Sequence, residues 1–290
     1  NCGGAVQLRT GPTAGILAVI VWARFPRQQV SARMSYGQVL ASMFRLLARE
    51  PVLRRVGLSG AANFVMTNAV GVQTLLDACL RAGVSRVLQV STDEVYGSTD
   101  GPGFVETDLL EPSSPYSAAK AAGDLIARSY VVTHGLDVVI TRCTNNYGPY
   151  QFPEKVIPLF VTNLIDGMKV PLYGDGENVR DWLHVDDHCR AVALAAEKGR
   201  TGEIYNISGG VGLSNRDLTE RLLAGCGADW SSVEHVEDRK GHDRRYALDD
   251  SKIRSELGYA PRTDLEAGLT ATMTWYRENE DWWRPLKATS

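Results

Sequence analysis

Two short stretches of this sequence carry residue types that could move protons between carbon and oxygen. The first is Ser91-Thr92-Asp93-Glu94, a pair of hydroxyls next to two adjacent carboxyl groups. The second is Tyr116-Ser117-Ala118-Ala119-Lys120, a phenol and an amine four residues apart. Two carboxyl groups side by side in a covered cleft rarely share one ionisation state, because each raises the other's pKa. One can then serve as general acid while its neighbour serves as general base. A tyrosine hydroxyl titrates near ~10, too high for a base at neutral pH. A neighbouring ammonium favours the phenolate and lowers that value. Taken singly, Tyr116 and Lys120 read equally well as a surface pair on an amphipathic helix, and Asp93-Glu94 as a solvated turn. The two stretches in succession point to chemistry.

The elements that must position them are legible nearby. Val84 to Val90 is apolar and β-branched and follows Gly83, as suits a buried strand of a parallel sheet. Its carboxyl end delivers Ser91 to Glu94 to the edge where open α/β sheets bind ligands. Ser113-Ser114-Pro115 is a helix start, with serine as cap and proline in the first turn. Tyr116 and Lys120 then share one face of a helix running to about Thr133. Thr67-Asn68 reads as the cap of a helix through Leu80, with Val72, Leu75, Leu76 and Cys79 turned to the sheet and Gly83 ending it. Asp137 to Arg142 is a further buried strand, followed by an edge loop over Asn145-Asn146-Tyr147-Gly148-Pro149.

Beyond Phe152 the pattern continues with a helix over Lys155 to Asp166, an extended segment over Arg180 to His184 and a helix over Asp186 to Lys198. Then come a short strand over Glu203 to Ser208, a helix capped by Ser214 with Asp217, and a last helix over Leu265 to Arg277 capped by Asp264. Alternating strands and helices of this kind make an α/β fold, a Rossmann-like doubly wound parallel sheet with a smaller C-terminal substrate lobe.

Composition narrows the function classes. At 290 residues, with 44% apolar and 22% charged residues, the chain can bury a sizeable core as an ordinary globular protein. A net charge of -3 without a basic stripe argues against nucleic acid as a partner. The apolar run Gly15 to Ala23 is too short to span a bilayer, and a membrane partner is not expected. Cys2, Cys79, Cys143, Cys189 and Cys226 are scattered with no CxxC pair, so they read as buried thiols in a reducing, cytoplasmic compartment. No metal site is expected, since neither His184 nor His242 has a partner at ligand spacing.

From about residue 61 onward the chain resembles the extended short-chain dehydrogenase/reductase family, in its branch of dTDP-glucose 4,6-dehydratases. The resemblance rests on Thr67-Asn68, Ser91 to Gly97, Pro115 to Lys120, Arg142 to Gln151, Phe152 to Lys155 and Tyr173 to Gly176, then on Arg180 to His188, Tyr205 to Ile207 and Asp238 to Tyr246. It implies an enzyme, a hydro-lyase, that holds NAD through its cycle and acts on dTDP-glucose. By resemblance, Tyr116 with Lys120 takes the C4 hydroxyl proton, Glu94 takes the C5 proton, Asp93 protonates the departing C6 hydroxyl and Thr92 bonds the C4 oxygen. Asn68, Ser91, Tyr116 and Lys120 are implied to bind the cofactor. Asn145, Asn146, Lys155, Arg180, Asn206, Arg239, Arg245 and Tyr246 are implied to bind the sugar nucleotide. A homodimer formed through helices near Tyr116 is implied as well. Another nucleotide-sugar dehydratase, epimerase or decarboxylase, or a non-catalytic sugar-nucleotide-binding remnant, stands as the alternative.

The remnant reading comes from residues 1-60. The resemblance calls for a strand, a G-x-x-G-x-x-G turn and a helix there, which would receive the pyrophosphate. Gly3-Gly4 and Gly11-Pro12-Thr13-Ala14-Gly15 lack that spacing, and Pro12 removes a backbone donor. Gly15 to Trp22 could be a strand, but it follows these glycines. Residues 1 to 49 contain no Asp or Glu, so an acidic residue for the adenosine ribose is missing too. A helix over Tyr36 to Glu50, ended by Pro51, is expected. A shifted reading frame or damaged terminus, a divergent cofactor turn and an arginine-rich transit-like segment all fit. The expected organisation is an atypical segment 1-60, a Rossmann-like catalytic core 61-150 and a sugar-nucleotide lobe 151-290 interleaved with returning core elements.

Overall fold

In a computed structural model the chain is described at residues 19–20, 60–239 and 241–287. The expected helix over 36–50 and the glycines at 3, 4, 11 and 15 lie outside the described residues.

The main sheet is built from β1 (Val19–Ile20), β2 (Val87–Thr92), β3 (Val138–Cys143) and β7 (Ile204–Ile207), in the order β1-β2-β3-β7. β2, β3 and β7 run parallel, with Val90 opposite Thr141 and Arg142 opposite Asn206. β1 pairs with β2 antiparallel, Val19 opposite Gln89. Of the expected strand over Gly15 to Trp22, only Val19 and Ile20 are among the described residues, and they depart from the parallel pattern.

Alternation along β2 and β3 sends neighbouring side chains to opposite faces, and helices cover both. Val87, Val138 and Ile140 pack against α2 (Gly71–Ala82) and α3 (Pro115–His134), through Val72, Leu76, Cys79, Ala127 and Tyr130. Leu88, Val90 and Val139 pack on the other face against α5 (Val185–Lys198) and α7 (Ser251–Leu257). That is the doubly wound arrangement the sequence implies, and both faces being covered is why these strands read as continuous apolar runs.

The capping signals hold. Ser114 forms a reciprocal capping box with Ser117 ahead of Pro115, Ser214 accepts from the Asp217 amide at 3.0 Å, and Asp264 accepts from the Ala267 amide at 3.0 Å. Gly83 ends α2 in the left-handed conformation, φ 63°. One cap does not hold. Thr67-Asn68 lies inside a longer helical run, in a π-turn over Met66–Val70 between α1 (Gly60–Val65) and α2. Asn68 donates its Nδ2 to the Phe64 carbonyl one turn back, at 3.1 Å. An asparagine bonded backwards in this way can sit in mid-helix, which sequence reading cannot distinguish from a cap.

The second cluster holds α4 (Val156–Ile165), β5 (Val170–Tyr173), β6 (Val179–His184), β8 (Gly212–Ser214), α6 (Asn215–Cys226), β9 (Val233–Val236), α8 (Leu265–Glu278) and α9 (Glu280–Lys287). Its core gathers Phe160, Leu222, Met273, Tyr276 and Trp283 around Trp182 of β6. Trp275 and Trp282 pack against this core. Asn145–Tyr147, expected as an edge loop, instead forms β4, parallel to β6 with Asn146 opposite Leu183. Its polar sequence hid a strand, because the pairing is supplied by β6.

The π-turn and α3 meet at Gly123, where a Cβ would lie 2.4 Å from the Asn68 carbonyl oxygen. Gly123→Ala is expected to push α3 off the π-turn and lower stability by about 1–3 kcal/mol, read as a fall in melting temperature against the unsubstituted chain.

Candidate active site

β2 is buried along its whole length, so its carboxyl end carries Asp93 into a nearly dry position. Asp93 is 3% exposed. Thr92, extended at φ -141°, caps the short 3₁₀ turn Asp93–Val95. Its Oγ1 accepts from the Glu94 amide at 3.3 Å and donates to Asp93 Oδ1 at 3.1 Å. Asp93 Oδ2 has no hydrogen-bond partner among the described residues. The sequence places a cap here without any helix signal, because one turn of 3₁₀ leaves no periodicity to read.

The two carboxyl groups sit in unequal surroundings. Burial pushes the Asp93 carboxyl well above the usual carboxylate range, and Glu94 and Cys143 push it further. Burial also raises Glu94, but the Arg180 guanidinium and the Lys155 ammonium pull it back, against a smaller push from Asp243. Asp93 is therefore held further toward its protonated form, and Glu94 gives up its proton more readily. This is the separation that adjacent carboxyl groups need in order to play opposite roles.

Tyr116 stands over this turn from the first turn of α3, half-buried and edge-on to Phe64 with ring centroids 5.5 Å apart. The expectation that Lys120 draws the phenol down is not met. Burial pushes the Tyr116 hydroxyl up, and Glu94, Cys143 and Asp93 push the same way. Lys120 is buried one turn on, and its Nζ donates to the Val90 carbonyl at 2.6 Å. Burial lowers the Lys120 ammonium, and Asp124 and Cys143 raise it. Burial and three negative or potentially negative groups set the phenol, while the Lys120 ammonium is turned toward a backbone oxygen.

Of the positions expected around a sugar nucleotide, some gather here. Arg180 is buried on β6, with its guanidinium 4.1 Å above the Tyr246 ring. It donates to the Asp243 carbonyl at 2.8 Å, and Asp93 and Glu94 both act on its charge. Tyr246 donates to Asp243 Oδ2 at 2.7 Å. Lys155, exposed at the start of α4, is close enough to act on Glu94. Asn146 donates Nδ2 to the Thr144 carbonyl at 3.3 Å, and Asn145 lies beside it on β4.

Others do not gather. Asn206 is fully buried, with Oδ1 accepting from Tyr96 at 3.0 Å and Nδ2 donating to the Phe104 carbonyl at 2.9 Å. Both ends of its amide are used inside the protein, so its expected substrate role is corrected to a structural one. Arg239 is exposed and lies 4.4 Å above the Tyr173 ring. Arg245 is tied to the Gly101 carbonyl at 2.6 Å. Ser91, next to last on β2, is buried at 4% exposure. His184, expected as structural, caps α5 by accepting from the Asp186 amide at 3.3 Å. No cluster of metal-binding side chains is present among the described residues.

Sequence reading missed Cys143, a buried thiol pushed up to about 11 that acts on Asp93, Tyr116 and Lys120 alike. It also missed Asp124, whose spacing of four from Lys120 was a readable signal, and Arg142, a charge inside an otherwise apolar strand.

The raised Asp93 carboxyl has a consequence for stability. Its folded pKa exceeds the unfolded one, so folding takes up protons. The corresponding stability is complete below the ordinary carboxylate range and lost as pH rises through the raised value, at about 1.4 kcal/mol per unit of difference. Melting temperature measured from acid to neutral pH without ligand should therefore fall more steeply for the unsubstituted chain than for Asp93→Asn. Parallel curves would rule out a buried, protonated Asp93.

The chain is similar to known proteins. The sequence profile described as GDP-mannose 4,6 dehydratase matches residues 53–272. A dTDP-glucose 4,6-dehydratase of Streptomyces griseus is 60% identical over 226 residues, covering 78% of this chain and 69% of that protein. One of Streptomyces niveus is 52% identical over 268 residues, 91% of this chain and 79% of that protein. Residues 61–290 number only 230, so this second likeness enters the first sixty residues, which the sequence reading had left outside the resemblance. Among solved structures, a double mutant of the dTDP-glucose 4,6-dehydratase DesIV from Streptomyces venezuelae, with NAD bound, superposes with a TM-score of 0.78 at 61% identity, covering 78% of this chain and 70% of that one. By the extent of the profile match and the identity to these relatives, the chain belongs to the GDP-mannose 4,6 dehydratase family.

Proposed function

We propose that this chain is a hydro-lyase that converts dTDP-glucose to dTDP-4-keto-6-deoxyglucose with NAD as a resident cofactor. The observation that carries this reading is the unequal pair Asp93 and Glu94 at the carboxyl end of β2, facing Tyr116. Elimination of water needs an acid and a base acting on adjacent carbons, and oxidation or epimerisation alone does not. The relatives with the same printed activity, and the NAD bound in DesIV, support it.

The described residues fit the nicotinamide end of the cofactor. Parallel strands end at a common edge, Tyr116 and Lys120 stand over it, and the buried Asp93 Oδ2 there lacks a hydrogen-bond partner among the described residues. NAD bound there would supply a hydride acceptor beside Tyr116 and Lys120. Asn68 and Ser91 belong to the cofactor side in this reading. In this reading residues 1-60 are an atypical segment, 61-150 the catalytic core and 151-290 the sugar-nucleotide lobe interleaved with returning core elements.

Tyr116 takes the C4 hydroxyl proton. A cation near the phenol favours the phenolate, and Lys120, released from the Val90 carbonyl, is the protein's own source of one. Thr92 bonds the C4 oxygen. The resulting ketone acidifies C5, where Glu94 removes the proton. Asp93 donates its proton to the C6 oxygen, which leaves as water. Arg180 and Lys155 suit the diphosphate, the former as a planar fork, with Arg239 and Arg245 at its outer end and Asn145, Asn146 and Tyr246 beside the sugar nucleotide.

A homodimer is the proposed assembly. Leu125 and Val132 are one heptad apart on α3 and stand 57% and 79% exposed, with Leu80 of α2 at 37%. An apolar stripe of this kind suits a second copy of the same helices. Sedimentation should give a dimer for the unsubstituted chain and a monomer for Leu125→Glu combined with Val132→Glu. The described residues contain no helix long and apolar enough to cross a membrane. Cys79, Cys143, Cys189 and Cys226 are free thiols, as suits the proposed cytoplasmic location.

The deciding experiment is dTDP-glucose turnover, read as alkali absorbance of the 4-keto product, with and without added NAD. Product without added NAD is expected, and it means that residues 1-60 hold a cofactor tightly. Product only with added NAD means a weakened cofactor site. A folded chain that makes no product either way would overturn the enzymatic reading, and Tyr116→Phe should abolish turnover by the active chain.

A further inference from the structure

Behind the two carboxyl groups and the Tyr116 face of α3 lies a buried chain of polar contacts that the steps above do not use. It begins at Asp124, one turn beyond Lys120 and 2% exposed. Arg142 of β3, also 2% exposed, donates Nε to Asp124 Oδ2 at 3.0 Å. The same guanidinium donates Nη1 to the Tyr96 hydroxyl at 2.7 Å, and that hydroxyl donates to Asn206 Oδ1 at 3.0 Å. Tyr96 closes the Asp93–Val95 turn, its amide bonded to the Asp93 carbonyl at 3.0 Å. One cation therefore joins the helix that carries Tyr116 and Lys120 to the turn that carries Asp93 and Glu94.

A buried ion pair returns little net stability, since two ions must give up their water, and apolar residues of similar size often serve as well. What such a pair does supply is fixed geometry and a fixed local charge. Both are at a premium here, because the reaction needs the turn and the helix in register to within a fraction of an ångström.

We infer that Asp124 and Arg142 are a positioning pair for the reaction proposed above: Arg142 acts through Tyr96 to hold the acid-base turn against α3, and Asp124 supplies the negative charge next to Lys120. The titratable groups acting on Lys120 are Asp124 from its own helix and the Cys143 thiol from β3; burial raises the Asp124 carboxyl but the Arg142 guanidinium pulls it back, whereas the Cys143 thiol is pushed up to about 11. Arg142 reaches Asp124 and Tyr96, not Lys120. Neither member of the pair touches the reacting atoms.

The inference rests on the dehydratase reading, so its test carries one arm that needs no turnover. In the full chain labelled with ¹⁵N-lysine, the Lys120 ammonium, assigned by its loss in Lys120→Met, should deprotonate at lower pH in Asp124→Asn than in the unsubstituted chain. Removal of the carboxylate leaves burial less opposed. An unchanged titration overturns the charge role, whether or not the chain makes product. In turnover, Asp124→Asn and Tyr96→Phe should each lower kcat by about tenfold or more with KM little changed, the signature of a lost transition-state alignment.

Asp124→Asn combined with Arg142→Met separates positioning from plain packing. Its melting temperature should return toward that of the unsubstituted chain while kcat stays low. Recovery of both would show that the pair merely holds the fold, and the inference would fall. Should Asp124→Asn not fold, the double variant and Tyr96→Phe decide the matter, and a normal kcat in either overturns it. An unsubstituted chain without turnover would instead defeat the dehydratase reading and leave the lysine titration to judge the charge role alone.

Discussion

The cost of keeping a carboxylate out of water governs this molecule. β2 is buried on both faces from Val87 to Thr92, and it ends in a carboxyl group that has almost no solvent. Ionised and unpaired there, Asp93 would be expensive, and Glu94 next to it adds to the cost. Burial accordingly drives Asp93 toward its protonated form, while Arg180 and Lys155 draw the Glu94 carboxyl back down. The acid and the base are thereby told apart by surroundings, although they are neighbours in the chain and almost the same in chemistry.

The surrounding structure supports that asymmetry from two directions. On one side, α3 lies against β2 and β3, with small residues such as Ala119, Gly123 and Ala127 allowing close approach. On the other side the second cluster reaches in through a chain of bonds from the C-terminal helices. Trp283 donates to the Tyr276 carbonyl at 2.7 Å, Tyr276 donates to the Gln151 carbonyl at 2.5 Å, and Gln151 donates to the Asn146 carbonyl at 2.8 Å. Tyr150, at φ 63°, leaves its ring 4.6 Å from Trp275. Residues far along the sequence thus fix the loop after β4.

Much of the fold was legible. Apolar runs bounded by glycines marked β2 and β3, serine and aspartate caps marked α3, α6 and α8, and the spacing of Val72, Leu76 and Cys79 marked the buried face of α2. Asn145–Tyr147 was hidden, because a three-residue polar strand exists only through its pairing with β6. Thr67-Asn68 was misread, because a polar residue satisfied by its own helix resembles a cap. Asn206 was misassigned for a related reason: its amide suits a ligand, and only packing shows that Tyr96 and Phe104 occupy both ends.

The sequence by itself determined the parts: an acid-base pair after a buried strand, a tyrosine and a lysine on one helical face, and the class of sheet that brings them to one edge. These follow from local periodicity and residue chemistry, which short stretches carry. Tertiary structure alone decided the ionisation of those parts. Asp93 is pushed further than Glu94, Tyr116 is pushed up and not down, and Lys120 points to Val90, because burial and charges from Arg180, Cys143 and Asp124 act there. Desolvation and Coulomb forces depend on distance in space, and residues distant in sequence supply them.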